Sequence, residues 1–177
     1  MSRGIDHASG FTLWELIYVM TIASIALGIG VPALRDVTLD VRRLTTVNSL
    51  IGAARRARAE AQKRDRVVVL CGSADLATCA DGHAVARGWI VFENADDARP
   101  PRRSAHEPLL VANEGSVDTM IWNRAAFEFR PFPRRSTNGT ITICDPRGDS
   151  RSRSIVVSYT GRPRVAAAVP GVCRGWQ

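Results

Sequence analysis

The chain has 177 residues, the size of one domain, and its apolar share of 45% is enough for a real hydrophobic core. Lysine and arginine together number 24 against 17 aspartates and glutamates, which gives a formal net charge of +7. The sequence contains neither internal repeats nor a low-complexity tract, so a repeat array and a disordered chain are both excluded.

The first predicted element is an apolar segment that is uncharged from Phe11 to Leu34 except at Glu15. As a helix these 24 residues extend over about 36 Å, enough to cross a hydrocarbon core of about 30 Å. A cleaved secretory signal fits poorly, because the charges of Arg3 and Asp6 cancel and the apolar run is too long. A plain signal anchor explains the length but leaves Glu15 unexplained, since an ionised carboxylate in hydrocarbon costs about 2.5 to 3.5 kcal/mol.

The stretch SGFTLWEL resembles the processing site of type IV pilins and related pseudopilins. The resemblance implies that a prepilin peptidase cleaves after Gly10 and methylates the new N-terminus, Phe11. It also implies that Glu15 pairs with the terminal amine of a neighbouring subunit during assembly, an attraction that a low dielectric strengthens. Pro32 matches another family position, and a proline inside a helix removes one hydrogen bond and bends the helix.

The helix is predicted to continue to Arg64 as an amphipathic segment. Apolar residues recur there at spacings of three and four, which is one face of a helix: Val37, Val41, Leu44, Val47, Ile51 and Ala54. The other faces carry basic residues, which most often form a solvated face: Arg42, Arg43, Arg55, Arg56, Arg58 and Lys63. The expected organisation is a cytoplasmic leader (1–10), a transmembrane and assembly helix (11–34), an amphipathic helix (35–64) and a globular domain with a basic C-terminal tail (65–177).

Beyond residue 65, short runs rich in β-branched and aromatic residues predict strands. These runs are RVVVLC, GWIVFE, PLLV, AFEFR, GTITIC and RSIVVSYT. The Asn138-Gly139 step at the start of GTITIC predicts a hairpin. Because no second helical pattern separates the strands, we expect an α+β fold, in which the long helix packs on a small, mainly antiparallel β domain as in type IV pilins.

Four cysteines allow three disulfide pairings: Cys71, Cys79, Cys144 and Cys173. An apolar export segment places them in an oxidising compartment, where disulfides persist. We favour Cys71–Cys79, which closes a short loop, and Cys144–Cys173, which ties the C-terminus to a strand. A metal site has weaker support, because no C-x-x-C pair is present and neither His83 nor His106 lies at ligand spacing.

The helix, the β domain and the cysteine placement together resemble the FimT/GspH branch of minor pilins over nearly the whole chain. That branch contains both pilus subunits and type II secretion pseudopilins. The last 29 residues hold five arginines against one aspartate. Within them, Gly161-Arg162-Pro163-Arg164 resembles the GRxR motif of FimT proteins that bind DNA during natural transformation.

This tetrapeptide has the chemistry to bind a phosphate backbone. Pro163 fixes its own φ and biases Arg162 towards an extended conformation. Arg162 and Arg164 would then point the same way about 6.6 Å apart, close to the spacing of successive phosphates. Three more arginines are expected to widen the patch: Arg151, Arg153 and Arg174. Such contacts read no bases, so binding should be sequence-independent and salt-sensitive, although solvated charge is an alternative interpretation.

The sequence therefore predicts a FimT-like minor pilin with a single pass through the inner membrane and a periplasmic globular domain, which reaches the pilus or cell surface on assembly. The expected partners are DNA, other pilins, the prepilin peptidase and the inner membrane. We expect no cofactor, metal or catalytic residue, because no nucleophile or acid–base pair is suggested and phosphate-binding glycine motifs are absent. The alternatives are a FimU-like minor pilin or GspH-like pseudopilin that primes or caps the filament, and an adhesin whose tail contacts an acidic surface.

Overall fold

The computed structural model describes residues 12–80, 88–115 and 119–174, and within these ranges it contains one helix and eight strands. Helix α1 spans Leu13–Arg64. The strands are β1 (Val68–Ser73), β2 (Gly88–Glu93), β3 (Leu109–Glu114), β4 (Met120–Trp122), β5 (Ala126–Phe129), β6 (Gly139–Ile143), β7 (Arg153–Val157) and β8 (Pro163–Ala167). A long N-terminal helix packed on a small antiparallel β domain confirms the predicted α+β, pilin-like fold.

The chain divides into two compact units, Met1–Asp40 and Val41–Gln177. In the first unit, Thr12 caps the start of helix α1, because its Oγ1 accepts a hydrogen bond of 3.3 Å from the backbone N–H of Glu15. The apolar side chains that follow are exposed, and this part of the helix is long and apolar enough to cross a membrane. Pro32 lies inside the helix, which continues beyond it.

In the second unit, helix α1 buries a narrow face of mostly small side chains. The buried residues are Thr46, Val47, Leu50, Ala53, Ala54, Ala57 and Ala61. The apolar face predicted from the sequence includes Val41 and Leu44, but in this unit both are more than half exposed, so the packed face begins later along the helix than the pattern indicates. Helical periodicity shows that a face is apolar but not what covers it.

The strands form two antiparallel sheets of four strands each. Their strand orders are β3-β2-β1-β5 and β4-β6-β7-β8. The main core joins Leu50 of the helix to Leu70 of the first sheet and Ile155 of the second. A smaller cluster that includes Val69 and Ile90 covers the other face of the first sheet. Because β1 is buried on both faces, its sequence is a continuous apolar run without polar alternation.

Strands β4 and β8 were not predicted from the sequence. Strand β4 has only three residues, and β8 has the sequence PRVAA, in which proline and alanine are poor strand formers. Strand β8 forms because it pairs along its whole length with β7. It lies at the edge of the sheet, where a proline is tolerated because its missing N–H is not needed.

The hairpin predicted at Asn138-Gly139 is wrong, because β5 and β6 on its two sides belong to different sheets. Gly139 instead permits a close approach: a Cβ there would lie 2.5 Å from Oδ1 of Asn123. That oxygen accepts a hydrogen bond of 2.7 Å from the N–H of Thr140. The glycine therefore serves the contact between β6 and the segment after β4.

The structure contains the disulfides Cys71–Cys79 and Cys144–Cys173, which are the pairs favoured from the sequence. The first closes the loop after β1, and the second joins the end of β6 to the C-terminal turn. Among the residues described, no group of three histidine, cysteine, aspartate or glutamate side chains is arranged to hold a metal ion.

Candidate nucleic-acid interface

The arginines predicted to bind DNA lie at two opposite ends of strand β7. Arg162 and Arg164 lie at the end where β7 turns into β8, whereas Arg153 begins β7 at the other end. The register pairs Arg164 with Val156 and Arg153 with Ala167. Arg153 and Arg164 are therefore about 10 Å apart along the sheet and, by strand alternation, on opposite faces. The structure does not bring them together.

The turn between β7 and β8 is built around Gly161. Its φ is +71°, and its N–H donates a hydrogen bond of 2.8 Å to the carbonyl of Ser158. The N–H of Ser158 in turn donates to the carbonyl of Arg162 over 3.1 Å. A Cβ on Gly161 would lie 3.1 Å from Phe129 and 3.2 Å from Oγ of Ser136. Only glycine combines this backbone conformation with so close a contact.

The second wall of the site is a face of helix α1 adjacent to its buried alanines. Arg55, Arg58 and Gln62 are spaced by three and four residues, so they lie on one face. Gln62 bonds twice to the loop after β5. Its Nε2 donates to the carbonyl of Arg130 over 3.3 Å, and its Oε1 accepts from the N–H of Phe132 over 3.2 Å. This side chain fixes the loop to the helix.

The same loop is also bonded to the β7–β8 turn. The N–H of Arg130 donates to Oγ of Ser136 over 3.2 Å, and the N–H of Ser136 donates to the carbonyl of Tyr159 over 2.9 Å. Ser136 is buried. Three segments that are distant in sequence are therefore joined through Gln62 and Ser136: the helix, the loop after β5 and the turn that carries Arg162.

These segments enclose two concave surfaces, of about 670 Å³ and about 490 Å³, that share Arg58, Gln62 and Arg162 as lining residues. We call them together the arginine groove, after the arginines that line it: Arg55, Arg58, Arg130, Arg134, Arg135 and Arg162. Arg164 is exposed on β8 and is not among the residues that line the groove.

No carboxylate is among the described residues that line the groove. Arg130 pairs with Glu128, and the guanidinium carbon of Arg135 lies 5.8 Å from the centroid of the Tyr159 ring, a cation–π contact. Within the described part of the chain, the side chains of the other groove arginines have no hydrogen-bond or ion-pair partner: Arg55, Arg58, Arg134 and Arg162. Several unneutralised positive charges in one concavity attract polyanions.

The opposite end of β7 has a different electrostatic character, because Arg43, Arg147 and Arg153 are bound there to protein oxygens. Asp145 is buried and accepts hydrogen bonds from Nη2 of Arg147 at 2.8 Å and from Nη1 of Arg43 at 3.2 Å. The hydrogen bonds from Arg147 lower the pKa of Asp145, and the charge of Arg43 adds to the effect. Arg153 donates through Nη1 to the carbonyls of Ser150 and Ser152.

The two remaining arginines of the predicted patch also lie near this end. The carbonyl of Arg151 accepts a hydrogen bond of 2.6 Å from Nη1 of Arg43. Arg174 is exposed in the C-terminal turn, directly after the disulfide-bonded Cys173. Neither of them lies at the groove end of β7.

Sequence reasoning missed most of the groove. It interpreted Arg55 and Arg58 as a solvated helix face and did not consider Arg130, Arg134 or Arg135. The run RPFPRR, in which an aromatic residue is surrounded by arginines and prolines, was the available signal. The sequence alone does not show how helix α1, the loop after β5 and the β7–β8 turn pack together, and this packing brings the residues into one groove.

The predicted assembly residues, Glu15 and Pro32, belong to the first unit. Glu15 is exposed in the first turn of helix α1, and Pro32 lies further along the same helix. Gly10 and Phe11 fall outside the residues that the structure describes, as does His83.

The family model described as "Type II transport protein GspH" matches residues 46–161. This range covers more than half of the chain, from the first buried residue of helix α1 to the β7–β8 turn. It ends at Gly161, so Arg162 and Arg164 lie just beyond it. No curated protein and no solved structure matches the chain.

Proposed function

The chain belongs to the GspH family, and from this premise we propose that it is a minor pilin whose arginine groove binds DNA for uptake in natural transformation. Family membership supports a minor pilin or pseudopilin that assembles with other pilins. The long apolar part of helix α1 fits a membrane anchor. The finer assignment to DNA uptake depends on the groove.

Assembly is proposed to use the N-terminal part of the chain. The prepilin peptidase removes residues 1–10 after Gly10 and methylates Phe11. Glu15 then pairs with the N-terminal amine of a neighbouring subunit, and Pro32 adapts the helix to the filament. The globular unit lies on the periplasmic side of the inner membrane and reaches the pilus or cell surface on assembly.

The observation that carries the DNA proposal is a groove lined by six arginines and by no carboxylate among the described residues. A guanidinium binds phosphate through a planar fork of donors, which makes arginine well suited to this ligand. A carboxylate in the groove would repel phosphate, so its absence from the lining favours an anionic ligand. Contacts of this kind position a backbone without reading bases, and uptake of arbitrary DNA requires such binding.

The full chain in non-ionic detergent, with its cysteines oxidised, would be titrated with two duplexes of unrelated sequence at several salt concentrations. We expect similar affinities for both and a log–log salt slope of about −3 to −5, because three to five phosphates are neutralised. In the Arg58→Ala/Arg162→Ala variant the slope should become shallower by about two and the affinity should fall at least about 10-fold.

The matched control is Arg56→Ala, which removes an exposed arginine of the same helix that does not line the groove. Its affinity should stay close to that of the unmodified chain. An Arg162→Ala/Arg164→Ala variant measures whether the GRPR motif adds to the groove. Undetectable binding at low salt, or equal loss in the Arg56 control and the groove variant, would remove the DNA function.

A second candidate function has support from the family description, which names type II transport. In that case the chain is a FimU-like minor pilin or GspH-like pseudopilin that primes or caps a filament. It then contacts only other subunits and does not bind DNA. Two kinds of strain in the source organism separate the two functions: a deletion of the gene, and point variants of Arg58 and Arg162. Loss of secretion or pilus assembly in the deletion strain, together with normal transformation in the point variants, would favour the second candidate.

A further inference from the structure

The arginine groove exposes two aromatic rings beside its charges. Phe132 is 86% exposed and Tyr159 is 55% exposed, and both line the larger concavity together with Arg134 and Arg162. A phenylalanine ring left in water forgoes the favourable burial of its apolar surface. Other phenylalanines of this unit, such as Phe127 and Phe129, are fully buried. The exposed ring is therefore available to pack against a ligand.

The backbone that carries Phe132 is anchored, so the ring is presented by a fixed turn. Its N–H donates to Oε1 of Gln62 over 3.2 Å, and the N–H of Arg134 donates to the carbonyl of Pro131 over 2.9 Å. Prolines on both sides, Pro131 and Pro133, restrict the φ angles of the turn further. Packing of a ligand on this ring would therefore cost the protein little backbone conformational entropy.

Tyr159, which also lines the larger concavity, is held in a similar way. Its carbonyl accepts the N–H of Ser136 over 2.9 Å, and its ring lies 5.8 Å from the guanidinium carbon of Arg135. The groove thus combines unneutralised guanidinium groups with two partly exposed π-faces. That combination is the one by which proteins bind single-stranded nucleic acid without sequence preference.

We infer that the arginine groove takes unpaired nucleotides, with bases stacked on Phe132 and Tyr159 and phosphates bound by Arg58, Arg134 and Arg162. In a duplex each base face is covered by its neighbours in the stack, so the rings have nothing to pack against. In a single strand both the bases and the phosphates are accessible. This inference rests on the proposed function and specifies which form of DNA the groove prefers.

The full chain in non-ionic detergent is titrated with three probes matched in phosphate number: oligothymidylate, an abasic oligonucleotide of the same length, and a duplex of half that length. The variants are Phe132→Ala, Phe132→Trp as the conservative replacement, and Arg56→Ala as a control away from the groove lining. Because Phe132 is exposed, its replacement should not unfold the chain, and thermal unfolding by circular dichroism verifies this for each variant.

Oligothymidylate should bind at least about 5-fold more tightly than either the abasic probe or the duplex. Phe132→Ala should lower the affinity for oligothymidylate by about 5-fold or more and leave the abasic probe unchanged. Phe132→Trp should retain tight binding, because a larger ring stacks at least as well. The Arg56→Ala control should behave as the unmodified chain with all three probes.

Equal affinity for oligothymidylate and the abasic probe, or an equal loss with both in Phe132→Ala, would overturn the stacking inference and leave DNA binding by the arginines intact. Absence of binding to any of the three probes would overturn the proposed function as well. If Phe132→Ala lowers incorporation into filaments but not affinity for oligothymidylate, the ring packs against another pilin and the inference is wrong.

Discussion

The two ends of strand β7 use the same residue type in opposite ways. At the disulfide end, Arg43 and Arg147 bind the buried carboxylate of Asp145. At the groove end, the side chains of Arg58 and Arg162 have no partner among the described residues. An arginine beside a buried acid stabilises the fold, whereas an arginine in a concavity without acids is available to a ligand. The number of arginines does not distinguish these roles, but their neighbours do.

The largest expected effect comes from removing the disulfide at the disulfide end of β7. Cys144→Ser/Cys173→Ser should lower the free energy of unfolding by about 3–4 kcal/mol, because the bond closes a loop with a sequence separation of 29. Urea unfolding followed by tryptophan fluorescence measures the loss, since Trp89 and Trp122 are buried.

The other disulfide is the matched comparison. Cys71→Ser/Cys79→Ser should cost less, about 2–3 kcal/mol, because its sequence separation is 8. In conditions where either variant is folded, DNA affinity should match that of the unmodified chain. A larger loss from the shorter loop would contradict the account of the disulfide end.

The next effect comes from the carboxylate that neutralises the arginines. Asp145→Asn should lower the free energy of unfolding by about 2 kcal/mol near neutral pH, because charged hydrogen bonds to Arg43 and Arg147 are lost. The control is Glu114→Gln, which alters an exposed carboxylate on β3 and should change stability by less than about 0.5 kcal/mol.

The difference in unfolding free energy between the unmodified chain and Asp145→Asn should depend on pH. The pKa of Asp145 is lowered in the folded state by its hydrogen bonds with Arg147, so the carboxylate stabilises the fold above its unfolded pKa of about 3.9. That stabilisation is lost as the pH falls through the folded pKa. Unfolding curves of the unmodified chain and Asp145→Asn should therefore converge below about pH 4. A difference in unfolding free energy that stays constant below about pH 4 would show that Asp145 acts through its shape and not its charge.

The smallest of these effects lies at the groove end. Gly161→Ala should cost about 1–2 kcal/mol, because its φ of +71° disfavours a side chain. It should also weaken DNA binding, since the new Cβ meets Phe129 and Ser136 and displaces the turn that carries Arg162.

Gly171→Ala is the control that separates the effect of backbone strain from the effect of displacing the β7–β8 turn. Gly171 has a φ of +88°, and a Cβ there meets nothing within 4 Å. This variant should lose stability to a similar or smaller extent and keep its full affinity for DNA. Equal weakening of DNA binding by both glycine variants would mean that the position of the β7–β8 turn does not matter.

The sequence predicted the fold class because its signals were long and local. A segment of membrane length, a helical face that includes Val47 and Ala54, and short β-branched runs such as RVVVLC need no tertiary information. The missed strand β8 and the mistaken hairpin at Asn138-Gly139 both depended on which strands pair. Pairing between distant strands is decided by packing, which overrides local propensity for residues such as Pro163 and Gly139.

The site was only partly predictable for the same reason. The GRPR motif is a local signal, and the structure places its Arg162 in the lining of the groove. The groove around it also needs a face of helix α1 and the loop after β5, joined by the side chains of Gln62 and Ser136. Conversely, Arg151 and Arg153 were expected to widen the patch around Arg162, but they lie at the far end of β7.

Arginine-specific modification by phenylglyoxal, with and without DNA, tests the central claim most directly, with mass spectrometry reading every site. Arg58, Arg134 and Arg162 should be modified in the free chain and protected by DNA, whereas the exposed Arg56 should be modified equally in both conditions. The engaged Arg147 should react slowly throughout. Protection of Arg174 with unchanged reactivity in the arginine groove, or no protection anywhere under binding conditions, would contradict the account.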